Sequence, residues 1–205
     1  MIITKIITIL SVAGSDNSSG AGVQADIKTS MSLNAYCLTA LTNITSQNSK
    51  YVYKVFSLPS SLVISQINLL LDDYEIDGIK IGLITDITLA KSLVKILTRF
   101  NRKIPIVIDP IYSSSTNKKF TNKKQFVQIY ESFFYLKAIL TPNLIEAKIL
   151  AKIKNDENIS IEYLLKKNSK IYNKQVIITG GDIKSDFSVD YLIIKNKICQ
   201  FKSQK

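Results

Sequence analysis

Apolar positions along this chain follow two alternating rhythms. Short runs of aliphatic and β-branched residues at 6–12, 36–44, 104–108, 138–140 and 176–179 have the length and content of buried strands. Residues 78–83 form a further short strand punctuated by glycines. Between these runs the period becomes helical. Val23, Ile27 and Met31 share one face, as do Leu62, Ile64, Ile67 and the pair Leu70-Leu71. Leu89, Leu93/Val94 and Leu97 form a third such face, and Ile161, Leu164 and Leu165 a fourth, with another helix expected over 122–135.

The punctuation agrees with these rhythms. Ser57-Leu58-Pro59 predicts a helix start with proline in the first turn, and Asp86 predicts a helix cap. Thr141 or Asn143 is the candidate cap of the helix carrying Glu146, and Ser160 caps the next. Near the end, alternating segments 189–194 and 198–201 joined at Asn196-Lys197 predict a β-hairpin. Strands alternating with helices predict a doubly wound, mostly parallel α/β sheet flanked by helices, with right-handed crossovers. With no repeat, low-complexity tract or linker in 205 residues, one domain spanning 1–205 is expected.

Polar clusters stand at the ends of five apolar runs: 14–22, 45–48, Asp109-Pro110, 141–146 and 179–181. Each alone is an ordinary turn. Together they make a rim at the carboxyl ends of the strands, where open α/β sheets bind small molecules. The first cluster is glycine-rich and opens a helix, which suits a polar or anionic ligand. It is not a P-loop, because five residues separate Gly14 from Gly20 and Ala21 follows in place of lysine. Gly14 is also too distant for the dinucleotide fingerprint. A tight strand-to-helix turn without a ligand remains the alternative.

Composition narrows the chemistry. There is no histidine, so His-based triads and His-ligated zinc are excluded. The net charge of +11 invites nucleic acid, but the lysines are scattered without a basic block or aromatic interleaving. An Ile-, Lys-, Asn- and Tyr-heavy composition points instead to an AT-rich genome, so no nucleic-acid partner is expected, although the charge favours phosphorylated substrates. No apolar run approaches the ~20 residues of a membrane span, so no membrane partner is expected. Residues 1–13 have the make-up of a short leader with Lys5 as its charge, yet they run into the glycine turn as a first strand would. A cytoplasmic protein is expected, with Cys37 and Cys199 as two buried thiols.

Gly14-Ser15-Asp16 through Gly20-Ala21-Gly22-x-Gln24-Ala25-Asp26 resembles the opening motif of bacterial hydroxymethylpyrimidine/phosphomethylpyrimidine kinases, thiamine-biosynthesis enzymes of the ribokinase-like fold. The resemblance implies ATP-dependent phosphorylation of an aminopyrimidine alcohol and of its monophosphate, with Mg²⁺. Gln47 matches the family glutamine whose amide pairs with the aminopyrimidine ring, which an amide does by offering donor and acceptor together. Gly14, Ala21 and Asp26 would complete that pocket, with Leu83 where methionine is common. Asn143 and Glu146 resemble the family Asn-x-x-Glu motif that supports the metal, and Asp109 matches a strand end near metal and phosphate. For Glu146 the plain alternative is a carboxylate at a helix start.

Thr179-Gly180-Gly181 would meet the nucleotide, but Thr179 stands where the family has lysine, Asp182 where many members have histidine, and the loop after Asp109 reads Ser115-Thr116-Asn117 rather than Ser-Gly. No Gly-Thr-Gly-Cys loop occurs in these residues, and Cys199 sits in a strand pattern. The resemblance therefore implies a C-terminally shortened member without the family's last helices. Alone it would be expected to turn over at least ~10⁴-fold more slowly, and exposed apolar surface would favour a homo-oligomer. A non-catalytic pyrimidine-binding remnant and a kinase of pyridoxal or a sugar on the same fold are the alternatives.

Overall fold

The computed structural model describes residues 5–100, 104–153, 159–172, 175–181, 186–194 and 197–204. Its first strand, β1 (Ile7–Ser15), buries Leu10, Val12 and Ala13 on both faces and so lies inside the sheet rather than at an edge. Helix α1 (Gly22–Ser32) crosses to β2 (Ala35–Gln47), which runs parallel to β1, and β3 (Val52–Ser57) turns back antiparallel as the sheet edge. Helix α2 (Ser60–Asp73) then returns the chain to the other side of β1, where β4 (Gly78–Ile81) pairs in parallel. From there α3 (Ile87–Arg99), β5 (Ile106–Ile108), α4 (Lys123–Ser132), β6 (Ile139–Leu140), α5 (Leu144–Leu150), α6 (Ile161–Tyr172) and β7 (Gln175–Ile178) extend the parallel sheet. An antiparallel pair, β8 (Phe187–Ile194) and β9 (Lys197–Gln204), completes it.

The strand order β3-β2-β1-β4-β5-β6-β7-β8-β9 is doubly wound, and the winding reverses between β1 and β4. That switch point opens a crevice at the carboxyl ends of the two strands. Leu10, Ile81, Ile108, Leu140 and Val176 form the buried spine of the sheet, covered by Val63 and Ile67 of α2, Leu89 and Leu93 of α3, and Leu164 and Leu165 of α6. Among the described residues no helix is long and apolar enough to cross a membrane.

Several local expectations are corrected. Met31 is 68% exposed and α1 fully buries only Val23. The helix meets the sheet through polar groups instead, since Gln24 bonds the glycine loop and Asp26 bonds Ser11. Residues 52–57, read as no element, are an edge strand with a mostly exposed pattern and hence no alternation to detect. Ser57 belongs to that strand, so Pro59 is the N-cap of α2 and not a residue of its first turn. Residues 45–47 are part of β2 itself. Helix α4 stops at Ser132 and continues as a 3-10 turn, Phe133–Tyr135, where Phe133 turns into the core. The loop at 113–119, whose polar composition predicts a flexible segment, is a closed turn in which Ser114 and Lys118 pair through their backbones and Asn117 takes φ 63°. Cys37 and Cys199 are free and half-buried rather than buried. Residues 195–196 of the expected hairpin turn, Asp182 and residues 1–4 lie outside the described residues, and Lys197 is the first residue of β9, opposite Ile194.

Asp86 caps α3 as expected, accepting from the amides of Thr88 (3.0 Å) and Leu89 (3.2 Å), and the Ser60 hydroxyl of α2 donates to it at 2.7 Å. Burial opposes its ionisation, but the Ser60 hydroxyl and the two amides outweigh it and hold the carboxyl below its usual value. A lowered folded-state pKa contributes stability above the unfolded value of about 3.9, lost as pH falls through the folded value. Asp86→Ala should therefore cost ~1 kcal/mol in urea unfolding at neutral pH. That difference should shrink in strongly acidic buffer; an equal difference at both pH values would contradict the ionic cap.

Candidate active site

The glycine-rich turn is organised by Asp16. Its carboxylate is 4% exposed and accepts from the Ser18 amide (2.8 Å), the Ser18 hydroxyl (2.7 Å), the Gly20 amide (3.0 Å) and the Ala21 amide (2.8 Å). Desolvation raises its pKa, yet the Ser18 hydroxyl, the Ser18 and Ala21 amides and the Gln47 side chain together hold it below normal. The donors at the start of α1 thus already serve an internal carboxylate, which explains why this turn is spelled differently from phosphate-binding loops. Gln24 locks the other side, accepting from the Asp16 amide at 2.9 Å and donating to Ser15 Oγ at 2.7 Å. Gly22 takes φ +59°, and a Cβ there would lie 2.2 Å from the Gly14 carbonyl oxygen. The first turn of α1 can approach β1 this closely only because Gly22 has no side chain.

This packing brings the expected pyrimidine residues partly together. A Cβ on Gly14 would sit 3.5 Å from Leu83 and 3.6 Å from Asn43. Asn43 is itself 1% exposed and donates to Ser57 Oγ (2.8 Å) and Thr85 Oγ1 (2.9 Å). Gln47 stands at the end of β2, half-buried, its backbone N–H donating to Asn17 Oδ1 at 2.8 Å. Ala21 is exposed on the same turn. Asp26 is placed differently: its carboxylate accepts from Ser11 Oγ and pairs with Lys80 Nζ at 3.0 and 3.1 Å, between α1 and the sheet.

Across β4 lies a cavity of about 490 Å³ lined by Lys80, Asp109, Asn143, Glu146, Thr179 and Gly181, with Asp190 of β8 on its wall. Glu146 and Asn143 form a capping box: Asn143 Oδ1 accepts from the Glu146 amide, and Glu146 Oε2 accepts from the Asn143 amide, both at 2.9 Å. The other oxygen of Glu146 accepts from the Tyr112 amide at 2.9 Å, so the carboxylate ties the loop after β5 to the start of α5. Thr179 follows β7, donates its amide to the Pro142 carbonyl (3.0 Å) and carries no charge. Gly180 donates its amide to Asp190 Oδ1 at 3.0 Å; a Cβ there would meet the Val189 carbonyl oxygen at 2.2 Å.

Of the three carboxylates lining the cavity, Glu146 and Asp190 accept backbone amides, whereas Asp109 accepts no hydrogen bond from a described residue. Burial pushes its pKa up, the Lys80 ammonium pulls it down and Asp26 pushes it up again. A desolvated carboxylate facing a polar cavity suits a cation, and Mg²⁺ keeps most of its water and needs only one or two carboxylates. Among the described residues no group of three or more carboxylates or thiols gathers into a full protein cage. Asp109 would therefore hold the ion, with Glu146 behind it.

Three residues of this region were given no role of their own from the sequence: Asp16, quoted only within the resemblance motif, Lys80 and Asp190. Asp16 followed by Asn17-Ser18-Ser19-Gly20 carries an Asx-turn signal. Lys80 between Ile79 and Ile81 is a charge inside a buried strand, which calls for a partner. Asp190 has no local signal, because its role depends on pairing across to Gly180.

The phosphomethylpyrimidine kinase family model matches residues 16–205. The hydroxymethylpyrimidine/phosphomethylpyrimidine kinase of Aquifex aeolicus is 31% identical over 199 residues, covering 96% of this chain and 76% of that protein. The crystal structure of a phosphomethylpyrimidine kinase from Clostridium difficile superposes with a TM-score of 0.82 at 30% identity, covering 96% of this chain and 84% of the other. An ADP complex of Bacillus subtilis pyridoxal kinase also gives 0.82, at 28% identity over 98% of this chain and 76% of the other. The sheet, the Asp16-centred turn and these relatives agree, and the chain belongs to the phosphomethylpyrimidine kinase family.

Proposed function

We propose that this chain binds 4-amino-5-hydroxymethyl-2-methylpyrimidine and its monophosphate beside Gly14 and Leu83, and that the γ-phosphoryl of ATP is delivered from the cavity across β4. The observation that carries the reading is the meeting of two unlike half-sites at the β1/β4 switch point. One half would lie where Gly14 approaches Leu83, beside the end of β2 that carries Gln47; the other is the polar cavity lined by Asp109, Asn143 and Glu146. A flat heterocycle suits the first and a nucleotide–metal complex the second. Thr179, Gly180 and Gly181 would border the nucleotide, and Asp109 would hold the cation that accompanies it. Mg²⁺ bound there would supply charge neutralisation at the phosphoryl oxygens. The chain's own part is positional. Glu146 fixes the wall, Gln47 sets the ring edge, and the substrate hydroxyl is turned toward the seam. A cytoplasmic setting follows from this chemistry, which draws on ATP.

A second reading is favoured by the pyridoxal kinase likeness: a pyridine in the same pocket. Calorimetry separates the two. Hydroxymethylpyrimidine is expected to bind, and Gln47→Ala should weaken it by ~1–3 kcal/mol by leaving ring polar atoms unpaired. Unchanged affinity in the variant would remove Gln47 from the pocket. Tighter binding of pyridoxal than of the pyrimidine would transfer the assignment to the second reading.

A further inference from the structure

Lys80 is not among the residues that the sequence pattern assigned to the site, yet it occupies the position where the two halves meet. It lies on β4, directly opposite Ser11 of β1, and the two side chains converge on the same carboxylate, Asp26 of α1. Ser11 is fully buried and donates to Asp26, while Lys80 Nζ lies 3.0 and 3.1 Å from its two oxygens. The ammonium is therefore held from behind by a carboxylate that is itself fixed. Its path is also confined, because a Cβ at Gly82 would lie 3.0 Å from Lys80 Nζ and 3.0 Å from Ala13 Cβ. In front of it is the cavity. Among the described lining residues Lys80 is the one cation, facing Asp109, Glu146 and Asp190.

A purely structural ion pair accounts for the Asp26 contact but not for the rest. Burying a lysine root in a central strand is costly, and a neutral pair of similar shape would hold α1 to the sheet as well. The position matters because β4 separates the pyrimidine half-site from the nucleotide half-site in the strand order. Any phosphoryl group passing between them, or already carried on the pyrimidine, must cross the end of β4. Three carboxylates would repel that group if nothing opposed them.

We infer that Lys80, positioned by Asp26 and Ser11, is the cation that binds the phosphate of the phosphorylated pyrimidine at the seam between the two half-sites. The inference rests on the pyrimidine reading of the first half-site and adds to it a ligand for the phosphate. Asp26 then acts through Lys80 and is a positioning residue, not a contact to the ring.

The test compares two ligands that differ only in the phosphate: hydroxymethylpyrimidine and its monophosphate, titrated calorimetrically into the wild-type chain and into Lys80→Met. The variant should lose about tenfold or more in affinity for the monophosphate, the scale of one charge-assisted hydrogen bond, while affinity for the alcohol changes less than about twofold. Lys80→Arg should recover most of the monophosphate affinity. Because Lys80→Met strands the Asp26 carboxylate, the double variant Lys80→Met/Asp26→Asn is measured alongside and should keep the fold and the same selective loss. Equal losses for both ligands in the double variant, or no loss for either, would overturn the role of Lys80. Failure of the wild-type chain to bind the alcohol would overturn the pyrimidine reading itself, and this inference with it.

Discussion

Replacing Asp16 by alanine is expected to destabilise the chain by ~2–4 kcal/mol and to remove pyrimidine binding with it. One buried carboxylate accepts four hydrogen bonds from the turn that links β1 to α1. Without it the amides of Ser18, Gly20 and Ala21 lose their acceptor, each at a cost of ~1–3 kcal/mol if it stays buried, and the exposed part of the loop rehydrates some of that loss. The turn also carries Asn17, whose Oδ1 accepts from the Gln47 backbone N–H, so its collapse reaches the end of β2. Asp16→Asn keeps the shape and should recover part of the stability. The ionic part should depend on pH. The folded-state pKa is lowered, so the stabilisation is present above about pH 4 and declines as pH falls through the folded value. Urea unfolding of the three proteins at neutral and acidic pH, with calorimetry at neutral pH, measures both effects. A wild-type-like midpoint for Asp16→Ala would contradict this account of the turn.

Gly22→Ala is expected to cost at least ~3 kcal/mol, from a left-handed backbone penalty of ~1–2 kcal/mol and a steric clash added to it. The clash involves backbone on both sides: the new Cβ would lie 2.2 Å from the Gly14 carbonyl oxygen and 3.4 Å from the Asp16 amide nitrogen. No rotamer relieves it, so β1 and α1 must separate, and Gly14 moves with them. Gly20→Ala is the control, because its Cβ would meet only the Asp16 and Ser18 side chains, at 3.5 and 4.0 Å. It should cost less than ~1 kcal/mol. Thermal melts of the two variants check the contrast, and similar melting temperatures would refute the close-approach argument.

How much of this was legible in the sequence depended on whether a signal is local. The central strand β1 was, because it is buried on both faces and spells a nearly continuous apolar run, and β4 and β5 were, because short aliphatic stretches carry their buried Ile79, Ile81 and Ile108. The caps at Asp86, Asn143 and Ser160 were legible for the same reason, since a cap is written in the few residues around it. Edge strand β3 was not, as its exposed faces impose no alternation. Helix α1 misled in a different way. Its apolar stripe suggested Met31 as core, whereas polar contacts by Gln24 and Asp26 fix the helix and leave Met31 in solvent. In the candidate site, Gly14, Gln47, Asp109 and Glu146 fall in the polar clusters read at strand ends, whereas Leu83 was named through the resemblance alone. Lys80 and the true environment of Asp26 were not. Their pairing joins positions 54 residues apart and is decided by the register of β4 against β1.

The central claim is that a pyrimidine pocket and a phosphate-bearing cavity meet over β4. A crystal structure of the chain with hydroxymethylpyrimidine tests it most directly. The account predicts the ring against Gly14 and Leu83, the Gln47 amide at its edge, and the hydroxymethyl group turned toward Lys80 and Asp109. A ring bound instead within the cavity between Asp109 and Thr179, or in the groove between α4 and the end of α5, would contradict it.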